Sequence, residues 1–266
     1  MSTSPPPLGT GPPTDEEIEY YYAPMFSWDT VKDQVAKESA HQFASSDLGN
    51  LKRHPTMQIR YDKWIAETAA VHGGIVAYLV NVRLGWGPTE TRPATPASHA
   101  NPTYTDVEGH TDSKTLGLPT PPSTRPLTPS LNPPEYFTAD IDPKFVKILP
   151  NDWPYSIPTS VKHFVFWTRV PIIHPAIVSP KIWKRIEQDG LWGFTGSDRI
   201  AEPRRLPGEE YSEETLQLVR DAHKESHKFV LDNWPEDLWE VAWFVNPPRL
   251  QSIPGLAHGH VFARKK

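Results

Sequence analysis

The chain contains no cysteine. That absence excludes structural disulfides, thiolate zinc ligands and thiol nucleophiles. Neither Gly-x-Gly-x-x-Gly nor a P-loop pattern is present, so nothing supports phosphate cradling by a glycine-rich loop. Long apolar runs are also missing. The longest, from Gly74 to Val82, falls far short of the ~20 residues a membrane span needs, and no membrane contact is expected. Basic runs are lacking too. The formal charge is −5 and the last three residues, Arg264-Lys265-Lys266, are the main basic cluster, so nucleic acid is not expected as a partner. The opening residues have neither a basic n-region nor an apolar h-region and do not read as a secretory signal.

Proline, by contrast, is abundant: 31 of 266 residues. Eleven of these fall between residues 88 and 134, among Thr, Ser and Gly. A stretch of that length and composition reads as a disordered, low-complexity insertion over 88–136. Residues 1–24 read as a disordered tail, with Ile18 and Tyr20 to Tyr22 as the part able to lie against a folded body. The remaining segments, 25–87 and 137–266, are each too small to be comfortable alone, and the expected arrangement is one α+β domain built from both. The chain carries 10 Trp, 10 Phe and 9 Tyr, enough aromatic mass for a dense core.

Within the first segment, Ser27 suits an N-cap, followed by Trp28, Val31 and Val35 at helical spacing. Pro55 suits a first helical position, and Met57, Tyr61, Trp64, Ile65, Thr68 and Val71 form a stripe that ends at Gly73-Gly74. Ile75 to Leu84 reads as a buried helix, with a strand as the alternative for so short a run. In the second segment three strands are expected: Lys162–Thr168, Glu240–Asn246 and His258–Ala263, each rich in aromatic or β-branched residues. A helix is expected after Ser179-Pro180, and a longer one from Ser212 to about Asn233. The predicted fold is α+β: amino-terminal helices packed with a small, mainly antiparallel sheet flanked by helices.

Three stretches carry a resemblance. They are FSWDTVKDQV with DLGNLKRHPTMQIRYDKWI and YLVNVRLGW; ILPNDWPYSIPTSVKHFVFWTRVPI; and WEVAWFVNPPRLQSIPGLAHGHVFARK. Together they resemble the fungal N-acetylglucosamine-induced protein family. The resemblance implies a cytoplasmic protein linked to the N-acetylglucosamine response or to amino-sugar metabolism. It supplies no catalytic mechanism and no cofactor. The insertion carries none of the family's motifs.

The candidate site is read from the residues themselves. His258 and His260 stand two apart in a strand, so both side chains face one way. They are the candidate catalytic residues, as base or nucleophile, and with His163 or Asp152 they would approach a metal-ligand set. Sheet histidines satisfied by hydrogen bonds are the plain alternative. Gln251-Ser252 followed by His258-Gly259-His260-Val261-Phe262 is similar to the histidine-triad strand, in which His260 would attack phosphorus. Phe262 stands where the third histidine belongs.

Asn151-Asp152-Trp153-Pro154-Tyr155 has turn chemistry and also the makings of a sugar site, with amide and carboxylate for hydroxyls and rings for stacking. Trp167 and Arg169 extend the His163 strand. Arg169 or Arg264 would pair with a phosphate. Asn246, at a strand end, is a further candidate contact. His223 and His227, four apart on a helix, could bind a metal as a pair, but no carboxylate motif completes a zincin pattern, and solvated or seam histidines are the favoured reading. The expected ligand is a small polar metabolite such as a sugar phosphate or nucleotide sugar. The rivals are a histidine-dependent hydrolase or transferase, and a regulatory protein acting through the insertion and its Thr95-Pro96 and Thr128-Pro129 pairs.

Overall fold

The computed structural model describes residues 6–22, 26–38, 53–87, 133–198, 212–247, 251 and 256–266. These form an α+β fold. Four helical elements come first: α1 (Asp15–Tyr21), α2 (Trp28–Glu38), α3 (Pro55–His72) and α4 (Ile75–Tyr78), the last prolonged by a π turn over Leu79–Arg83. Then follow β1 (Val146–Pro150), β2 (Val161–Thr168), α5 (Trp183–Asp189), β3 (Leu191–Thr195), α6 (Glu213–Asn233), β4 (Trp239–Val245) and β5 (Ala257–Lys265). The strands make one antiparallel sheet in the order β1-β2-β5-β4-β3.

Both faces of the sheet are covered, which explains why β4 is buried at every position instead of alternating. On one face Phe164, Phe166, Val241, Trp243, Val245 and Val261 pack with Val219, Phe229, Val230 and Trp234 of α6 and its C-cap. On the other, Trp28, Val31 and Val35 of α2 meet Ala242, Phe244 and Phe262, and Leu84 and Leu79 meet Val165 and Trp167. The imidazoles of β2 and β5 lie on this second face, between α2 and the α3–α4 pair.

Helix starts follow from local chemistry. Ser27 accepts from the Thr30 amide at 3.1 Å, and Ser212 from the Thr215 amide at 3.2 Å. Pro55 opens α3 behind the His54 cap, and Gly73, at φ 75°, closes it in the left-handed region that glycine tolerates.

Several expectations are corrected. Residues 6–22 are an ordered arm, not a featureless tail. Thr14 and Glu17 form a reciprocal capping box on α1, and the buried Glu17 carboxylate takes Arg60 Nη1 at 2.6 Å. Two local backbone donors to the Glu17 carboxylate, the Gly9 and Thr14 N–H groups, together with the distant Arg60, which pairs with Glu17 and also donates to the Pro12 carbonyl, offset the ordering entropy that composition alone suggested could not be met. The helix after Ser179-Pro180 begins at Trp183, behind a turn. Ile75–Leu84 is helical, but Val76 and Val82 are exposed. Strands β1 and β3 were not expected: β1 is an edge strand carrying Lys and Pro, and β3 holds Gly193, over which the Trp243 ring lies. Residues 88–132, with Thr95 and Thr128, lie outside the described residues, whereas 133–136 are described and Tyr136 stacks on His174 at 5.4 Å. Among the described residues no single helix is long and apolar enough to cross a membrane.

Candidate functional site

The loop between β1 and β2 is the Asn151–Tyr155 corner, and it folds back onto the β2–β5 pair. The Asn151 amide N–H donates to the His163 carbonyl at 2.8 Å, which extends the β1–β2 ladder by one rung. This rung sets the Asn151 side chain over the His163 ring, with Nδ2 3.1 Å from Nδ1 and 3.4 Å from Nε2. His163 Nε2 in turn lies 3.0 Å from His260 Nδ1. The register makes this contact possible: His163 pairs with Phe262 and His260 with Val165, so the two imidazoles are diagonal neighbours on one face.

Aromatic rings enclose the pair. Tyr155 stacks on His163 with centroids 5.1 Å apart, and Phe244 stacks on His260 at 4.7 Å. Phe262, in the third-histidine position of the histidine-triad comparison, lies 4.4 Å from His163. His258 Nδ1 faces the Leu256 carbonyl at 3.1 Å and its ring packs on Trp167 at 4.5 Å. His163 and His258 are buried, while His260 keeps part of its surface accessible.

Burial dominates the electrostatics. Desolvation, reinforced by the Arg53 charge, pushes His163 down to about 3. His260 is held well below the ordinary imidazole range by burial and then by His163, His258 and Arg53. His258 is also lowered by burial, against the opposing Leu256 carbonyl. All three rings are therefore neutral near pH 7.

Arg53 was not singled out in the sequence. Its Nε donates to the Trp153 carbonyl at 3.1 Å and Nη1 to Gln58 Oε1 at 3.3 Å. Its guanidinium carbon lies 3.9 Å from the Tyr61 ring centroid and 5.6 Å from that of Tyr155. Among the described residues no carboxylate pairs with it. One signal was legible: a cation immediately before a helix start opposes the helix dipole and needs a reason to be there.

The remaining predicted residues divide. Asn151, Tyr155, His163, His258 and His260 converge. Asn246 directly follows the last β4–β5 rung, Val245 with Gly259, and is buried. Asp152 is engaged elsewhere: its Oδ1 takes Arg83 Nη2 at 2.6 Å, and burial raises its pKa against the opposing pull of Arg83. Trp153 does not present a face to ligand. It is 3% exposed and packs among Tyr61, Trp64 and Arg60, so it docks α3 onto the corner. Trp167 is a core residue beside His258 and Leu84. Arg169 donates to the Trp86 carbonyl at 2.9 Å, and it stands six residues along the chain from His163, about 20 Å at strand rise. Arg264 is paired with Glu240 at 2.5 Å and lies over Trp28. Neither arginine is free for a phosphate at the imidazoles. Among the described residues no group of three or more His, Asp or Glu side chains could hold a metal.

In a comparison with curated proteins nothing matches. Among solved structures, the crystal structure of HTC1 is similar at 18% sequence identity and a TM-score of 0.42, over 90% of this chain and 85% of that chain. A family model described as "Protein of unknown function (DUF3605)" matches residues 27–188, which include Arg53, the Asn151–Tyr155 corner and His163. The chain accordingly belongs to the DUF3605 family.

Proposed function

We propose that the Asn151–Tyr155 corner, Arg53 and the His163–His260 pair together bind a small, polar, anionic metabolite. The single observation that carries this reading is Arg53: a guanidinium beside two neutral imidazoles, with no carboxylate partner among the described residues. A buried or half-buried cation is stabilised by an anion, and arginine offers the planar fork that suits a phosphate or carboxylate. Tyr155 and Phe244 supply aromatic surface beside it. The resemblance to the N-acetylglucosamine-induced proteins supports a sugar phosphate or nucleotide sugar as the ligand, in a cytoplasmic protein of the amino-sugar response.

Calorimetry tests this with glucosamine 6-phosphate, N-acetylglucosamine 6-phosphate, UDP-N-acetylglucosamine and unphosphorylated N-acetylglucosamine. The phosphorylated compounds are expected to bind and the neutral sugar is not. Arg53→Gln is expected to weaken binding by at least tenfold, since a hydrogen bond to a charged group contributes about 1.5–3 kcal/mol. No heat with any phosphate at millimolar concentration, or equal affinity in Arg53→Gln, would refute the reading.

A further inference from the structure

Three buried polar atoms where the amino-terminal arm meets α3 and the corner have no hydrogen-bond partner among the described residues: Tyr22 Oη, Trp153 Nε1 and Arg60 Nε. The guanidinium carbon of Arg60 lies 5.8 Å from the Trp153 ring centroid. Tyr22 closes α1 as its C-cap and is wholly buried. Two anchors bracket it in the chain. Upstream, Glu17 holds Arg60 at 2.6 Å; downstream, the Phe26 N–H donates to the Ser156 carbonyl at 2.9 Å, next to Tyr155. The phenol is thereby held at the junction of arm, α3 and corner. Burial pushes it up to about 12, against the charges of Arg53 and Arg60, so both guanidiniums act on it and it keeps its proton at neutral pH. A buried polar group without a partner costs free energy, and three at one junction call for a common acceptor.

The chemistry of that acceptor follows from the set. Trp153 Nε1 and Arg60 Nε can only donate, and the protonated Tyr22 hydroxyl donates as well. Arg53 and Arg60 against Glu17 leave one net positive charge at the junction. We propose that Tyr22 is a further binding residue of the anion site: its hydroxyl, with the Trp153 indole N–H, donates to phosphate oxygens held by Arg53, and the arm closes over them. The proposal rests on the anion-binding reading above. A phosphate group offers three acceptor oxygens, which suits a guanidinium joined by several separate donors better than the two oxygens of a carboxylate do. Neither the hydroxyl nor the indole N–H is open to solvent, so a ligand reaches them only when the arm lifts, and the return of the arm holds it. Trp153 keeps its ring against Tyr61 and Trp64 and gives the ligand only its N–H edge.

The test titrates inorganic phosphate and glucosamine 6-phosphate by calorimetry into the full chain as wild type, Tyr22→Phe and Arg53→Gln. Phenylalanine keeps the ring and its packing and removes only the hydroxyl. Tyr22→Phe is expected to bind phosphate roughly tenfold more weakly, the loss of one hydrogen bond to a charged group. Its urea midpoint without ligand is expected to be unchanged or higher, because a buried hydroxyl without a partner is gone. Equal affinity in wild type and Tyr22→Phe, with Arg53→Gln impaired, overturns the role of Tyr22 and leaves the anion-binding reading standing. No binding of either phosphate to wild type overturns both. A lower urea midpoint in Tyr22→Phe means that the hydroxyl is already satisfied within the protein, and overturns the proposal as well.

Closure of the arm is read on wild type alone, so it decides the matter even where Tyr22→Phe fails to fold. Limited proteolysis follows cleavage within residues 6–22. A phosphate ligand at about ten times its Kd is expected to slow that cleavage roughly tenfold, since the closed state alone holds the ligand. Acetate at the same concentration is expected to leave the rate unchanged. Cleavage of the arm at the same rate with and without bound phosphate overturns the closure and the contact with Tyr22. Equal protection by acetate overturns the assignment to phosphate.

Discussion

Acid should destabilise this protein through its buried imidazoles, and the effect can be sized. His163 is pushed down to about 3 by burial and then by Arg53, and His223, on the opposite face of the sheet, down to about 4 by burial against the Val219 carbonyl that its Nδ1 meets. In the unfolded chain both take the ordinary value near 6.5. Between 6.5 and the folded value the unfolded state binds the extra proton, so stability is full above about pH 6.5 and falls as the pH drops. At about pH 5 an unfolded imidazole is almost wholly protonated and either buried one almost wholly neutral. Linkage makes that difference about 2 kcal/mol per histidine, or about 4 kcal/mol for the pair. His258 and His260 act in the same direction. Urea unfolding of wild type, His163→Gln and His223→Gln at about pH 7.5 and about pH 5 separates this from general acid sensitivity. Each variant is expected to lose about 2 kcal/mol less than wild type between the two pH values, whatever its own stability at neutral pH. Identical losses in all three proteins would show that these rings are not the neutral, desolvated groups described above.

Three further outcomes follow from the packing. Gly259→Ala places a Cβ 2.3 Å from the Phe166 ring and 3.0 Å from a Val245 methyl, so denaturant unfolding should show a loss of about 1–3 kcal/mol, with β5 as the strand disturbed. Glu17→Ala leaves Arg60 as an uncompensated buried cation; a loss of about 3 kcal/mol is expected, together with faster proteolytic cleavage within residues 6–22 and an unchanged amide-exchange rate in β4. Trp153→Ala should cost about 3–5 kcal/mol, measured by thermal or urea unfolding, because it empties the contact between the corner and α3 at Tyr61 and Trp64.

Much of the fold was legible because its central elements carry undiluted local signals. KHFVFWT, EVAWFVN and HGHVFA announce the three middle strands, and Ser27, Pro55 and Ser212 announce three helix starts. The two outer strands were missed because edge positions tolerate Lys147, Pro150 and Gly193, residues that dilute β propensity. The amino-terminal arm was missed for a different reason. Its order depends on Arg60, which lies 43 residues away, and composition cannot report a partner.

At the site, the convergence of the corner with the imidazoles could be anticipated as a possibility of residue type, but the pairing needed the diagonal β2–β5 register. Side-chain chemistry misled where each group had a second use. Trp153 carries stacking surface, yet it is spent on α3; Arg264 carries charge, yet Glu240 holds it. Arg53 was overlooked because its relevance lies in what it lacks: a carboxylate among the described residues.

The most direct test is a crystal structure of the chain with glucosamine 6-phosphate bound. The account predicts phosphate oxygens in contact with the guanidinium of Arg53, beside the rings of His260 and Tyr155. A phosphate seated anywhere else on the molecule, with Arg53 and His260 untouched, would contradict it.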